Sequence, residues 1–314
     1  MPAVSLRCRV CESECACDAV GVCARCFGPL DPIYDWDVLA TEATRERFAA
    51  GPASIWRYAP LLPVAAPAEP RLAPGLTLLV PAPRLAEAVG VGELYLKLDT
   101  ANPTHSFKDR VVAVACAKAQ ELGLDVLACS STGNLANAVA ARAAAEGLEA
   151  AVFCPADLEP EKLVATAVYG ATIYAVRGTY DDCSRLTVEL SFELPWAFVN
   201  VGLRAYYAEG SKTLAYEISE QLGWRRDGQK RRVAPDRGGT GGEAFPGRLG
   251  REGVPVVDRI EGPKAASADA HGVTGVLALT DSATKGDCGH CLLLPLARHI
   301  LPSLLLGRAW HLAS

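Results

Sequence analysis

The middle of the chain alternates two hydrophobic periods. Short apolar runs occupy residues 125–129 (Asp-Val-Leu-Ala-Cys), 150–154 (Ala-Ala-Val-Phe-Cys) and 172–176 (Thr-Ile-Tyr-Ala-Val), and 196–200 (Trp-Ala-Phe-Val-Asn) closes the series. Between them lie longer stretches with helical spacing, at 136–146, 160–169 and 181–194. A short continuous apolar run bounded by polar or turn residues reads as a strand buried on both faces. Strands separated by about ten to fifteen helical residues predict crossover connections, and therefore a parallel sheet covered by helices. Upstream, 94–99 (Leu-Tyr-Leu-Lys-Leu-Asp) alternates apolar with polar and reads as a further strand, with the apolar run 76–80 before it. Residues 111–119 (Val-Val-Ala-Val-Ala-Cys-Ala-Lys-Ala) form a helix that packs nearly all round, and 214–222 form another. The fold class is α/β, with parallel or mixed sheets flanked by helices.

The two ends of the chain do not share this pattern. Six of the twelve cysteines lie within the first 26 residues, and Cys8-x-x-Cys11 and Cys23-x-x-Cys26 form two pairs separated by 11 residues. Pairs of this kind on tight knuckles present four thiolates to one tetrahedral zinc ion, a closed site with no position left for chemistry. Cys15 and Cys17 are spare thiols able to compete as ligands. From Tyr34 to Arg57 an amphipathic segment offers Phe48, Ile55 and Trp56 for packing, and a proline-rich connection runs from Pro60 to Pro74. After Trp224 the periodicity fades. The last 90 residues hold 14 of the 28 glycines but only two aromatics, Phe245 and Trp310, which argues against a packed continuation of the sheet.

Composition narrows the classes of function. A formal net charge of −5 excludes the basic footprint of a nucleic-acid binder. The run 291–307 is broken by Arg298, His299, Pro295 and Pro302, so it makes no membrane span. The first eight residues lack the apolar core of a signal peptide, and a cytoplasmic protein is expected. In that compartment metal is a better reading of the paired cysteines than disulfides.

The segment that carries chemistry is Asn102-Pro103-Thr104-His105-Ser106-Phe107-Lys108-Asp109-Arg110. Asn-Pro-Thr is turn and cap chemistry, and it opens into the apolar helix at 111–119. Lys108 therefore sits at the mouth of a buried helix, where partial desolvation lowers an amine's pKa and readies it as a nucleophile. About 25 residues further on, Ser130-Ser131-Thr132-Gly133-Asn134 offers hydroxyls, a glycine and a side-chain amide at a helix start, an arrangement suited to an anion. A third block is Val201-Gly202-Leu203-Arg204-Ala205-Tyr206-Tyr207-Ala208-Glu209-Gly210-Ser211-Lys212-Thr213.

Together these blocks resemble the pyridoxal-phosphate (PLP) enzymes of fold type II, the tryptophan synthase β-like group, and within it the threonine synthase branch. The resemblance runs from about Leu6 to Trp224 and includes the cysteine-rich leader. It implies that Lys108 carries PLP covalently, that Phe107 packs against the cofactor ring, and that Asn134 contacts its phenolic oxygen. It further implies that Ser131 and Thr132 hold the substrate carboxylate and that Arg204 clamps a substrate phosphate. Glu209 and Lys212 read as a local ion pair. The implied reaction converts O-phospho-L-homoserine and water to L-threonine and phosphate. A cysteate synthase, a threonine dehydratase or a non-catalytic remnant that at most binds zinc are the alternatives. The implied partner is a small amino-acid substrate, with a homodimer as candidate assembly.

The expected organisation is a zinc ribbon at 1–30, a PLP-binding core at 31–224 with a small domain inserted at about 103–198, and an atypical tail at 225–314. Two readings of the tail stand. One makes it an out-of-frame translation that leaves the large domain incomplete. The other keeps Gly238-Gly239-Thr240-Gly241-Gly242 as the loop that cradles the cofactor phosphate with backbone amides. Cys288 and Cys291 lack a second pair and are incidental.

Overall fold

The computed structural model describes residues 3–17, 21–90 and 92–224 together with the strand at 274–279. In chain order the leader contributes β1 (Ala3–Cys8), β2 (Glu14–Cys15) and β3 (Leu30–Tyr34), which form an antiparallel ribbon in the order β2-β1-β3. Then come α1 (Trp36–Glu42), α2 (Arg45–Ala49) and a 3-10 turn, Ile55–Leu61. The expected single amphipathic segment is thus three short pieces, and its apolar residues Phe48, Ile55 and Trp56 are all buried. Next are β4 (Leu79–Pro81), α3 (Pro83–Val89), β5 (Glu93–Leu98), α4 (Lys108–Glu121), β6 (Val126–Ser130) and α5 (Asn134–Glu146). The series continues with β7 (Glu149–Pro155), α6 (Pro160–Ala167), β8 (Thr172–Val176), α7 (Tyr180–Glu193) and β9 (Ala197–Phe198). It ends with α8 (Arg204–Gly210), α9 (Lys212–Gln221) and β10 (Thr274–Leu279).

These elements divide into two compact units. One holds 3–77 and 99–216, and the other Leu78–Leu98, 217–224 and β10. The heart of the first is the parallel sheet β8-β7-β6-β9. Its strands are apolar without alternation because both faces are covered. Leu127, Cys129, Val152 and Val199 face α4 and α5, while Ala128, Phe153, Tyr174 and Phe198 face Cys183, Leu186 and Leu190 of α7. Phe153 and Tyr174 stack at 4.7 Å between centroids. Burying side chains of this size contributes about 1.5–3 kcal/mol each. Gly147 ends α5 in the left-handed conformation, φ 73°, at no steric cost.

α4 is buried on almost every side, from Asp109 to Ala119, which explains its alanine and valine content. α8 lies directly on its first turn. A Cβ at Gly210 would stand 2.7 Å from both the Arg110 carbonyl oxygen and the Val111 Cα, so only glycine permits this approach. The leader belongs to the same core, since Leu6, Cys8, Cys23 and Leu30 share one apolar cluster with Val111–Ala119 and Tyr206. The proline-rich connection is tied down by Arg142 of α5, which donates to the carbonyls of Arg71 and Leu72.

Beneath α4, Arg110 is fully buried and binds Asp99 bidentately, at 2.7 and 2.8 Å, with Thr77 and Thr213 completing the network. Removing one member of a buried charged pair strands the other. Arg110→Met is expected to cost about 3–5 kcal/mol, read from the denaturant midpoint. A change under about 1 kcal/mol would mean that Asp99 finds another partner.

In the second unit β4 pairs antiparallel and β10 parallel with β5, a mixed sheet in the order β10-β5-β4. β10 lies within 225–314, so the sheet does receive a strand from the stretch expected not to continue it. The local reason is the run Val-Leu-Ala-Leu at 276–279, a strand-compatible island in a glycine-rich surround. The polar residue of the β5 alternation also defies a simple reading. Lys97 is fully buried, held by Glu217 at 2.8 Å and Gln221 at 2.9 Å. No helix among the described residues is long and apolar enough to cross a membrane.

Candidate functional site

Topology gathers the candidate residues at one edge of the parallel sheet. α4 runs into β6 and α5 runs out of it, so Lys108 and Asn134, the first residues of these helices, both belong to the carboxyl-terminal edge. α7 and α8 likewise start beyond the ends of β8 and β9. The strand order places β9 on the far side of β6 from β7 and β8. Strand order therefore reverses at β6–β9, and the crevice outside such a switch point is the usual ligand site of an open α/β sheet.

The turn before Lys108 is built by its own polar side chains. Asn102, 2% exposed, accepts the Gly75 amide at 2.9 Å and donates to the Ser106 carbonyl at 3.1 Å. Thr104 gives both its amide and its hydroxyl to Asp109, each at 2.9 Å. Neither residue caps the helix in the expected sense. Instead Asp109, inside the helix, accepts from the turn, and the Ser106 hydroxyl accepts the Lys108 amide at 3.0 Å. His105 takes a left-handed φ of 59°, with its Nδ1 3.0 Å from the Thr100 carbonyl.

Lys108 is half-buried, its Nζ 5.8 Å from the centre of the Phe107 ring. Burial lowers its pKa, and the positive charge of Arg204 lowers it further. Arg204 opens α8, and Tyr207 follows one turn on, its hydroxyl pushed up to about 12 by burial and by Cys129 and Tyr180, with Arg204 opposing. Sequence reading assigned no part here to Tyr207 or Tyr180. Tyr207 lies in the block Val201–Thr213, and Tyr180 follows the strand that ends at Val176. The loop from β6 to α5 is short: the Ser131 amide bonds the Phe153 carbonyl at 3.1 Å, and the Ser131 hydroxyl accepts the Gly133 amide at 3.3 Å. A Cβ at Gly133 would meet nothing within 4 Å, so open space adjoins the loop. Thr132 and Asn134 are half-buried beside it. Glu209 and Lys212 form the expected ion pair, with Tyr34 of the leader bonded to Glu209. Gly238, Gly239, Thr240, Gly241 and Gly242 lie outside the described residues.

The cysteine pairs meet. The sulfurs of Cys8, Cys11, Cys23 and Cys26 all lie within 4.8 Å of one another, with Cys8–Cys26 at 3.4 Å and Cys11–Cys23 at 3.6 Å. All four are free thiols, and Cys15 and Cys17 stand outside the group. Four sulfurs about 2.3 Å from a central zinc would stand about 3.8 Å apart, so the group fits tetrahedral coordination with little movement. Amides of Val10 and Arg25 point at Cys8 and Cys23 sulfurs at 3.4 Å, as thiolates in a knuckle require.

A family model described as "Pyridoxal-phosphate dependent enzyme" matches residues 71–242. The chain is 38% identical over 223 residues to a threonine synthase from Methanosarcina acetivorans, covering 70% of this chain and 54% of that protein. A threonine synthase from Methanocaldococcus jannaschii is 34% identical over 221 residues, again covering 70% and 54%. The chain thus spans about half the length of the curated relatives it matches. Among solved structures, apo diaminopropionate ammonia lyase from Escherichia coli aligns at TM-score 0.42 and 24% identity, over 50% of this chain and 48% of that one.

Proposed function

The chain belongs to the pyridoxal-phosphate dependent enzymes, and from that membership we propose a lyase of threonine synthase type, which turns O-phospho-L-homoserine and water into L-threonine and phosphate. The observation that carries the reading is a half-buried amine, Lys108, at the carboxyl-terminal edge of the sheet, its pKa lowered by burial and then by the charge of Arg204. An amine suits a cofactor aldehyde, and a guanidinium suits a substrate phosphate. The similarity to threonine synthases supports the choice of substrate.

The residues present fit the cofactor. Lys108 offers the anchoring amine, Phe107 a ring beside it and Asn134 a side-chain amide, with open space beside Gly133. Bound pyridoxal phosphate supplies an electron sink that acidifies the α-carbon proton of an amino acid. Lys108 Nζ, its pKa lowered by burial and by Arg204, takes that proton and returns protons to the neighbouring carbons. Ser131 and Thr132 orient the substrate carboxylate, and Arg204 holds the phosphate as it departs. Gly238–Gly242 would receive the cofactor phosphate, a reading supported by a family match that runs to residue 242. Cys8, Cys11, Cys23 and Cys26 would hold a structural zinc, a closed set of four sulfurs that leaves no position for chemistry.

Phosphate release from O-phospho-L-homoserine tests the proposal. Arg204→Ala should raise KM about 10–100-fold, the worth of a charge-assisted hydrogen bond, and Arg204→Lys should recover part of it. Because Arg204 lowers the Lys108 pKa, the same variant should move the acidic limb of the pH profile, where the neutral amine is lost, to higher pH. Unchanged KM and pH profile would remove Arg204 from the site, and no phosphate release by wild type would sink the threonine synthase reading.

A further inference from the structure

The two cysteine knuckles share one backbone course. In the first, the Cys8 amide donates to the Ser13 carbonyl at 2.9 Å and the Glu12 amide to the Cys8 carbonyl at 3.1 Å. In the second, the Cys23 amide donates to the Gly28 carbonyl at 2.9 Å and the Phe27 amide to the Cys23 carbonyl at 2.8 Å. Glu12 and Phe27, each following the second cysteine of its pair, both take a left-handed φ of 58°. Val10 and Arg25 aim their amides at equivalent sulfurs. In this correspondence Ser13 stands where the other knuckle has Gly28.

That exchange touches the sulfurs. The Ser13 hydroxyl lies 2.9 Å from Cys11 Sγ and 3.3 Å from Cys23 Sγ, beside a sulfur pair 3.6 Å apart. Position 28 admits no such group, because a Cβ there would stand 2.7 Å from Cys8 Sγ and 2.9 Å from Val10 Cγ2. Between free thiols a hydroxyl can donate or accept. A metal-bound thiolate has lost its proton, so towards it the hydroxyl can only donate. Such a bond is charge-assisted and about twice as strong as a neutral one. Four thiolates outweigh one divalent cation, and donors that offset the excess negative charge strengthen the site.

We infer that Ser13 is a positioning residue of the metal centre, its hydroxyl donating to the Cys11 and Cys23 thiolates and tightening the hold on zinc. This rests on the reading of the four cysteines as a zinc site. The donor serves one half of that site, since Gly28 offers no hydroxyl to the other.

The full chain carrying Ser13→Ala tests it, with Ser13→Thr to restore the hydroxyl and Ser5→Ala as a ribbon control. Ser13→Ala should fold, because the second knuckle takes the same course with glycine at this position. The Ser5 hydroxyl is spent on Glu14 at 3.1 Å. Zinc affinity, measured by competition with a chromophoric chelator, should fall about 10–100-fold in Ser13→Ala and stay near wild type in the other two. Cobalt(II), loaded in place of zinc, reports on the sulfurs directly. A hydrogen bond lowers the energy of a sulfur lone pair, so the sulfur-to-cobalt charge-transfer band should move to longer wavelength in Ser13→Ala and return in Ser13→Thr. Unchanged zinc affinity in Ser13→Ala would overturn the inference and leave the metal site standing. So would weaker zinc binding with an unshifted cobalt band, which would make the hydroxyl a support of the ribbon alone. A wild type that binds neither metal would instead sink the zinc reading, and this inference with it.

Discussion

Lys108→Ala is expected to lose the visible absorbance that wild type gains on addition of PLP, and to retain no measurable phosphate release. Two effects combine. The covalent anchor is gone, and so is the amine that moves protons at the substrate carbons, a contribution of about 10²–10⁴-fold by itself. The substitution leaves the surrounding turn intact. The Ser106 hydroxyl bonds the backbone amide of residue 108, and Asp109 is held by Thr104, so neither contact involves the lysine side chain. Stability should even rise slightly at neutral pH. A lysine whose folded pKa is depressed binds fewer protons folded than unfolded, so it costs stability wherever the unfolded chain is protonated, and the cost fades as pH rises. An absorbance band that survives in Lys108→Ala would place the anchor on another residue.

The second large effect concerns the four cysteines. Purified chain should contain one zinc, and Cys23→Ser should lose it and melt about 10 °C or more below wild type, consistent with the several kcal/mol that a structural zinc lends a fold. The loss should not stay within the leader. Leu6, Cys8, Cys23 and Leu30 pack in the same cluster as α4. The Cys17 carbonyl accepts the Tyr206 hydroxyl at 2.6 Å, and the Gly21 amide donates to the Gly202 carbonyl at 2.5 Å. With the leader loosened, hydrogen exchange should quicken in α8, the helix that carries Arg204. A Cys23→Ser protein with wild-type melting and exchange would show that the leader is a passenger.

Legibility followed the kind of interaction. The strands of the parallel sheet were readable because each is apolar on both faces, and that pattern exists only when both are covered. Lys108 was readable because turn chemistry, lysine and buried helix are contiguous, and the cysteine pairs because knuckles are local. Their meeting as four, with Cys15 and Cys17 excluded, was not, since it depends on how β1 and β2 fold back beside residues 21–30. The burial of Lys97 was also hidden, because its partners Glu217 and Gln221 are remote in sequence. So was the role of Thr104, which reads as a cap but serves Asp109. A threonine offers the same atoms to either partner, and only the path of the turn selects one.

By itself, then, the amino-acid sequence determined the α/β class, the amine at the start of a buried helix, the hydroxyl loop after β6 and the two cysteine pairs. Each is written in residues close along the chain, where propensity, periodicity and spacing act directly. Tertiary structure alone decided that the charge of Arg204 lowers the Lys108 pKa and that the Tyr180 hydroxyl bonds the Ser130 carbonyl. Those facts arise from strand order. When β9 pairs on the far side of β6, residues distant in sequence are brought to one crevice, and no local pattern records which side a strand will take.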